Sequence, residues 1–499
     1  MNCNQNRYLF LETVLVFSAK DCTMRKRSGR YKYEEIADEI TRLIKSGTFR
    51  PGDRIPSVRE MSRQKRVSIS TVIQAYYLLE ARGFIETRQR SGVYVRTRIP
   101  PDMPEPEISS PQIDPAKVSV WQLVKMMLHD AQNPKLIPLG AAFPNANLLA
   151  VQKLNRIHAA IGRRKREKSG VYDLPLQGCT ALRVQIAKNS VRAGCNFAPG
   201  DIVTTAGCTE AISLCLRSVC RRGDTIAVES PISFDVLQCV EASDLKALEI
   251  PTHPREGISL EALEFAVEHT PVQACVVISN FNNPLGSCIQ DEKKRDLVKL
   301  LSKHHIPLIE NDIFGEIFFT GRRPLVAKSY DKNGLVMLCS SFSKDVAPGY
   351  RVGWVVPGRF KEQVEWLKYT STLATATLSQ LAIAEFLASG GYHHHMRTIR
   401  RVYERNVASM VQAVERYFPV GTRTTRPTGG FVIWVQLPGG VDSMELYQKA
   451  LEEGIAITPG YIFSSTDRYR DFIRLNAANW SEKIENAMEK LGKCVTHLI

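Results

Sequence analysis

Several things are missing from this chain, and each absence removes a class of function. The twelve cysteines include no C-x-x-C pair and no His/Cys cluster at metal-ligand spacing, so neither a disulfide scaffold nor a zinc module is expected. The cysteines read as the reduced thiols of a cytosolic protein with no bound metal. No stretch reaches the roughly twenty apolar residues that a membrane span needs. The apolar run from Tyr8 to Phe17 is short, is interrupted by Glu12 and has no basic region before it, which argues against a signal peptide; no membrane partner is expected. The run His393 to His395 lies in a segment read as a polar turn, with no second ligand motif nearby. Acidic residues are also short, with 51 Asp and Glu against 66 Lys and Arg for a net charge of +15.

That excess is local. Between Arg25 and Arg98 there are 18 Lys and Arg against 8 Asp and Glu, which points to a polyanion partner for this segment. At 499 residues, 44% hydrophobic and 23% charged, the chain has the make-up of a soluble globular protein of two or more units. Residues 97 to 118 carry six prolines and read as an extended, semi-rigid spacer. The expected division is an N-terminal extension at 1–27, a basic module at 28–97, a linker at 98–119 and a large unit at 120–499. Met24 directly precedes the basic segment, so the first 23 residues read as a loose extension or a misplaced start.

In the basic module, Tyr33, Ile36, Ile40 and Ile44 recur at helical spacing and Gly47 stops the helix. Ser57 is placed to cap a second helix, and Ser68 or Ser70 a third that turns Val72, Ala75, Tyr76 and Leu79 inward. The run F-I-E-T-R-Q-R-S-G-V-Y-V reads as two short strands turning at Ser91-Gly92. Three helices and a hairpin make a winged helix-turn-helix, whose third helix enters a DNA major groove while Arg88 and Arg90 of the wing reach the backbone or minor groove. The runs P-G-D-R-I-P-S-V-R-E-M, V-S-I-S-T-V-I-Q-A-Y-Y-L-L-E-A-R-G-F-I and S-G-V-Y-V resemble the GntR group of bacterial regulators over about seventy residues. The resemblance implies DNA contacts at Arg59, Ser70, Thr71 and Gly92. Members of that group often carry arginines where this chain has Ile69 and Ile73, which shifts the expected base readout toward Ser68, Gln74 and the wing.

From about 120 onward, helical patterns alternate with short apolar strands, the mark of a mostly parallel sheet covered by helices. Ligands of such sheets sit at the carboxyl ends of the strands, and polar groups occur there. The turn T-T-A-G-C-T-E-A, 204 to 211, has the glycine of an anion cup at a helix N-terminus. S-N-F-N-N-P-L-G sets Asn283 before a proline, as an amide for a ligand oxygen or merely a turn. In S-S-F-S-K-D-V-A-P-G-Y-R-V-G-W, Ser341, Ser343 and Arg351 suit a phosphate dianion, and Lys344 suits attack on an aldehyde.

These motifs, with G-A-A-F-P at 140, Y-D-L-P-L-Q-G-C-T-A-L-R at 172 and F-I-R-L-N at 472, resemble the fold-type I aminotransferases, which use pyridoxal 5'-phosphate. The resemblance implies a large domain with a mostly parallel sheet and a small C-terminal α+β domain. It makes Lys344 the internal-aldimine lysine and gives the phosphate to Arg351, Ser341, Ser343, Cys208 and Thr209. Asn283 is implied at the ring hydroxyl and Arg474 at the carboxylate of an amino-acid ligand. Where the family sets an aspartate against the pyridine nitrogen and a tyrosine three residues later, this chain has Asn311 and Phe314; at the ring-stacking position it has Ser233, with Phe234 beside it. Asp312 is one residue off, on the other face of a strand. Transaminase activity is therefore expected to be weak or absent.

A GntR-type head, a linker and an aminotransferase-like unit resemble the MocR subgroup. That resemblance implies a cytoplasmic, nucleoid-associated bacterial regulator that binds double-stranded operator DNA as a domain-swapped homodimer. Its signal would be an amino acid or amine reacting at the Lys344 aldimine. The alternative is a working aminotransferase that carries a DNA-binding head.

Overall fold

The computed structural model describes residues 31–50, 52–88, 92–96, 103–172, 176–319 and 321–499. The expected extension at 1–27, Met24, Arg90 and the start of the linker lie outside the described residues, as does the side chain of Arg88. The chain divides into two compact units, Met1–Arg98 and Ile99–Ile499.

The first unit contains α1 (Lys32–Lys45), α2 (Val58–Lys65), α3 (Ile69–Ala81) and a hairpin of β1 (Ile85–Arg88) and β2 (Gly92–Val95). α1 buries Ile36, Ala37 and Ile40, with Glu34 and Glu35 in its first turn and Arg42 and Lys45 in its last, charges that oppose the helix dipole at both ends. Ser57 and Glu60 form a reciprocal capping box at α2, each side chain accepting the other's backbone N–H. Ser68 caps α3 by accepting the Thr71 N–H at 3.2 Å. Val72, Ala75 and Leu79 close the core against Ile55, Met61, Ile85 and Val95. Truncating Leu79 there would cost about 2–5 kcal/mol.

The second unit is built on a nine-stranded sheet. Its main path uses β3 (Ala116–Lys117), β4 (Val203–Thr205), β5 (Thr225–Ser230), β6 (Lys246–His253), β7 (Val272–Val277), β8 (Leu308–Asn311), β9 (Val336–Ser341) and β10 (Gly353–Val356), in the order β3-β6-β5-β7-β8-β9-β10-β4. The block from β6 to β9 is parallel, while β3, β10 and β4 run antiparallel to their neighbours. Every residue of β5, β8 and β9 is buried, as expected for strands covered on both faces. Their carboxyl ends, at Ser230, Asn311 and Ser341, open on one edge, and the polar motifs gather there. A smaller antiparallel sheet of β11 (Arg423–Thr424), β12 (Val432–Gln436), β13 (Thr458–Pro459) and β14 (Phe472–Asn476), in the order β11-β12-β14-β13, packs with α4 (Gly391–Tyr417) and α5 (Glu482–His497) around its own core. Among the described residues no helix is long and apolar enough to cross a membrane.

Two segments depart from expectation. His393 to His395 lie in the first turns of α4, not in a polar turn, because Tyr392, Met396, Ile399 and Tyr403 give that helix a buried face. The proline-rich segment, from Met103 on, is extended but held down. Met103 is buried, the Pro104 carbonyl accepts the Thr424 N–H at 3.0 Å, and Glu105 and Glu107 pair with Arg255 and Arg423. Ser109 donates to the Ser230 carbonyl at 2.6 Å and accepts the Thr252 N–H at 2.8 Å, before Ala116 and Lys117 add β3 to the sheet edge. Proline supplies the extended backbone, and the second unit supplies the partners that a free spacer would lack.

Candidate functional site

Lys344 lies three residues past the end of β9, half-buried. Its Nζ donates to the Ala142 carbonyl at 2.8 Å and lies 5.8 Å from the centre of the Phe314 ring. Desolvation holds its ammonium below the ordinary lysine range; Asp235 opposes this, and Arg474 and Arg351 reinforce it. Arg474 donates to the Gly140 carbonyl, two residues before Ala142, so the lysine and arginine motifs meet on the G-A-A-F-P segment.

The anion cup forms where β4 turns into α6 (Cys208–Val219). Gly207 sits at φ +105°, a conformation open to glycine. A Cβ there would lie 2.6 Å from the Arg351 guanidinium, and one on Gly353 would lie 2.5 Å from the Gly207 backbone. The two glycines let arginine, strand and helix start close to contact distance, and Arg351 Nη2 donates to the Ala206 carbonyl at 2.8 Å. Ser341 accepts the Ser343 N–H at 3.3 Å, and Thr209 is exposed in the first turn of α6. The Cys208 side chain turns inward and donates to Asn311 Oδ1 at 3.3 Å. Only its backbone remains at the cup, because its Cβ faces the core of α6.

Arg474 is fully buried on β14. Its Nε and Nη2 donate to the Gly140 carbonyl at 3.3 and 2.8 Å, and its Nη1 to Asn283 Oδ1 at 3.1 Å. Its guanidinium lies 4.9 Å from the Phe463 ring and 5.4 Å from the Phe234 ring. Among the described residues it makes no ion pair, and desolvation drives its pKa down to about 9, with Asp235 opposing. A buried guanidinium without a carboxylate is the state that a carboxylate ligand would relieve.

Asn311 ends β8 and keeps its Oδ1 for two donors, the Ile313 N–H at 3.2 Å and the Cys208 thiol. Burial holds that thiol well above its usual pKa, so it retains its proton. Asp312 cannot replace Asn311. It pairs with buried Arg323, accepts Asn280 Nδ2 at 2.8 Å, and belongs to a cluster in which Arg323 and Arg400 share Glu316. Phe314 packs edge-on against Phe431 at 5.3 Å. Ser233 Oγ accepts from Asn283 Nδ2 at 3.1 Å.

The sequence reading passed over Asn476, whose Nδ2 donates to the Ala141 and Phe143 carbonyls at 2.6 and 2.9 Å. Together with Arg474 it straps G-A-A-F-P across the site. Period two along F-I-R-L-N was the available signal, since residues 474 and 476 share a face. Asp235 carried no such signal.

In the first unit Arg59, Ser70 and Gln74 are exposed and Thr71 is half-buried. Ser68 Oγ is engaged with the Thr71 N–H and lies 2.8 and 2.7 Å from the Ser70 and Thr71 hydroxyls, so it serves the helix cap before it can serve a base. Gly92 sits at φ +117°, and a Cβ there would lie 2.8 Å from Arg54 Nε. Arg54, exposed beside the wing, is a cation that the motif reading did not single out.

Residues 145–491 match the aminotransferase class I and II family, and residues 32–95 match the gntR family of bacterial regulatory proteins. Two Escherichia coli proteins, the HTH-type transcriptional regulators YjiR and YdcR, are each 37% identical over 93% of this chain and cover 98% and 99% of their own lengths. The kynurenine aminotransferase of Pyrococcus horikoshii, solved in complex with PMP, is 27% identical and superposes with a TM-score of 0.70 over 75% of this chain and 94% of its own.

Proposed function

Because the chain belongs to the gntR-family transcriptional regulators of the MocR type, in which a class I and II aminotransferase domain follows the DNA-binding head, we propose that its second unit is a sensor of amino acids or amines. Pyridoxal 5'-phosphate fits the residues present: a glycine-lined cup faces Arg351, and Arg474 is a buried cation without a carboxylate. When bound, this cofactor supplies an electrophilic carbon that exchanges one amine for another.

The chain's own groups divide the remaining work. The lowered pKa of Lys344 raises the fraction of free amine available as a nucleophile. Gly207, Arg351, Ser341, Ser343 and the Thr209 turn hold the phosphate. Arg474, steadied by Asn283, takes the ligand carboxylate as a bidentate partner. With its Oδ1 committed to Ile313 and Cys208, Asn311 has only its Nδ2, a donor, left to offer a ring nitrogen where the aminotransferases set an aspartate. A donor favours the unprotonated ring, so proton removal from a bound amino acid gains little from the site. Phe314 offers no hydroxyl. Binding and amine exchange survive in such a site, while turnover is suppressed.

Transmission runs through the held linker. Ser109 grips the Ser230 carbonyl, and three residues later Ser233 bonds Asn283 beside Arg474. A ligand alters operator binding to the extent that it prefers one arrangement of this strand end. The regulator acts on chromosomal DNA as a homodimer with exchanged heads, which presents two recognition helices to two half-sites.

The observation that carries this reading is the buried, carboxylate-free Arg474 beside Lys344. The test is to titrate the full-length protein, loaded with pyridoxal 5'-phosphate, with a panel of amino acids and amines. Visible absorption, pyridoxamine formation and operator affinity are followed together, with Lys344→Ala as control. A spectral shift with altered operator affinity and little pyridoxamine is expected. Rapid pyridoxamine formation without any change in DNA binding would make the protein an aminotransferase with a DNA-binding head.

A further inference from the structure

The recognition helix α3, I-S-T-V-I-Q-A-Y-Y-L-L-E-A, contains no Lys or Arg. Its outward face carries Ile69, Ile73 and Tyr77 at successive i, i+4 spacing, 51%, 38% and 68% exposed. Gln74 stands exposed beside them. The inward face is occupied by Val72, Ala75, Tyr76 and Leu79, so the exposed isoleucines are not part of the module's core. The exposed cations of the preceding segment, Arg54, Arg59, Arg63 and Arg66, lie on α2 and at its two ends. The module thus carries a basic flank, while its third helix has no cation of its own.

That division fits one occupant. Flank cations meet phosphates, which are alike in every sequence, while the helix face meets base edges. Guanine offers two acceptors in the major groove and is read by Arg or Lys, which α3 lacks. Thymine offers a methyl group, the partner of an apolar side chain, and adenine offers the acceptor and donor pair that a Gln amide matches. A protein partner would need no basic flank. We propose that α3 reads A·T pairs, with Ile69 and Ile73 packed on thymine methyl groups and Gln74 on an adenine, and that the operator half-sites are A·T pairs at those positions. This rests on the first unit being the DNA-binding module and is independent of what occupies the second.

The test uses the full-length protein. Bound sequences are first selected from a pool of random double-stranded DNA. Affinity is then measured for the selected duplex and for versions in which each thymine is replaced by deoxyuridine, which removes one methyl group and leaves the pairing intact. At the contacted positions each replacement should weaken binding about fourfold, the worth of one buried methyl. Ile69→Ala and Ile73→Ala change exposed positions and keep the fold. Each should abolish its own uracil effect and leave the dependence of affinity on salt unchanged. G·C pairs at the selected positions, or equal affinity for thymine and uracil duplexes, would overturn the proposal. Uracil discrimination that persists in both variants would also overturn it, leaving the stripe to another protein. If the protein failed to bind any duplex in the pool, the premise about the first unit would fall with it.

Discussion

Replacing Arg474 with methionine separates the role of charge from that of packing. The guanidinium is fully buried, and desolvation brings its pKa down from the ordinary arginine range to about 9. At 1.36 kcal/mol per pH unit this corresponds to roughly 5 kcal/mol of cost that a carboxylate ligand would help to offset. Hydrogen bonds to Gly140 and Asn283 already offset part of it, which leaves about 3–4 kcal/mol for the ligand, in the range found when a buried charge pair loses one member. Arg474→Met should therefore weaken an α-amino acid about 100- to 1000-fold and leave the corresponding decarboxylated amine within about threefold. The assay is a titration of the cofactor's visible band with the matched pair of ligands. A thermal melt of the free protein serves as control, because removing an unpaired buried charge should not lower its stability. Equal weakening of the amino acid and the amine would refute the carboxylate role and reduce Arg474 to a structural strut.

Two further expectations concern the groups around the site. Asp345 is buried, its Oδ2 accepts the Tyr392 hydroxyl at 2.9 Å, and its Oδ1 has no partner among the described residues. Burial lifts its pKa to about 7; Tyr392 and Arg400 oppose the rise, Glu316 adds to it, and His395 and Arg323 lie close by. With the folded-state value raised, the folded protein holds more protons than the unfolded chain between about pH 4 and pH 7, so this group's stabilisation is complete below about pH 4 and is lost as pH rises through 7. Asp345→Asn should flatten that slope and gain roughly 2 kcal/mol over wild type between pH 5 and pH 8 in urea denaturation; parallel profiles would contradict it. Ser109→Ala removes two hydrogen bonds of the linker clamp at a cost of about 1–2 kcal/mol. Amino-acid binding should be unchanged and its effect on operator affinity reduced, as measured by gel shift with and without the amino acid. An undiminished effect would remove the linker from the signalling route.

Much of the architecture was legible in the sequence because it rests on local physics. Helical spacing in Ile36, Ile40, Val72 and Leu79, caps at Ser57 and Ser68, and fully apolar strands such as Val336 to Leu338 each depend on near neighbours along the chain. The motifs that carry Lys344, Arg351, Asn283 and Arg474 were legible for the same reason, because each is contiguous in the sequence. What the sequence could not reveal depends on partners far away along the chain. The Cys208 side chain found Asn311, 103 residues on. Asp312 is paired with Arg323, and the described part of the proline-rich spacer is held by Arg255, Arg423 and Ser230.

The sequence by itself therefore determined that this protein has a DNA-binding head and an aminotransferase-like unit, because motif and periodicity are properties of short stretches. Only the tertiary structure decided how the groups of the site are used. It committed one end of the Asn311 amide, left Arg474 buried with no ion pair among the described residues, and anchored the linker at Ser230, three residues from Ser233. Each of these is a choice among competing hydrogen-bond and ion-pair partners, and that competition is settled only when the chain is packed.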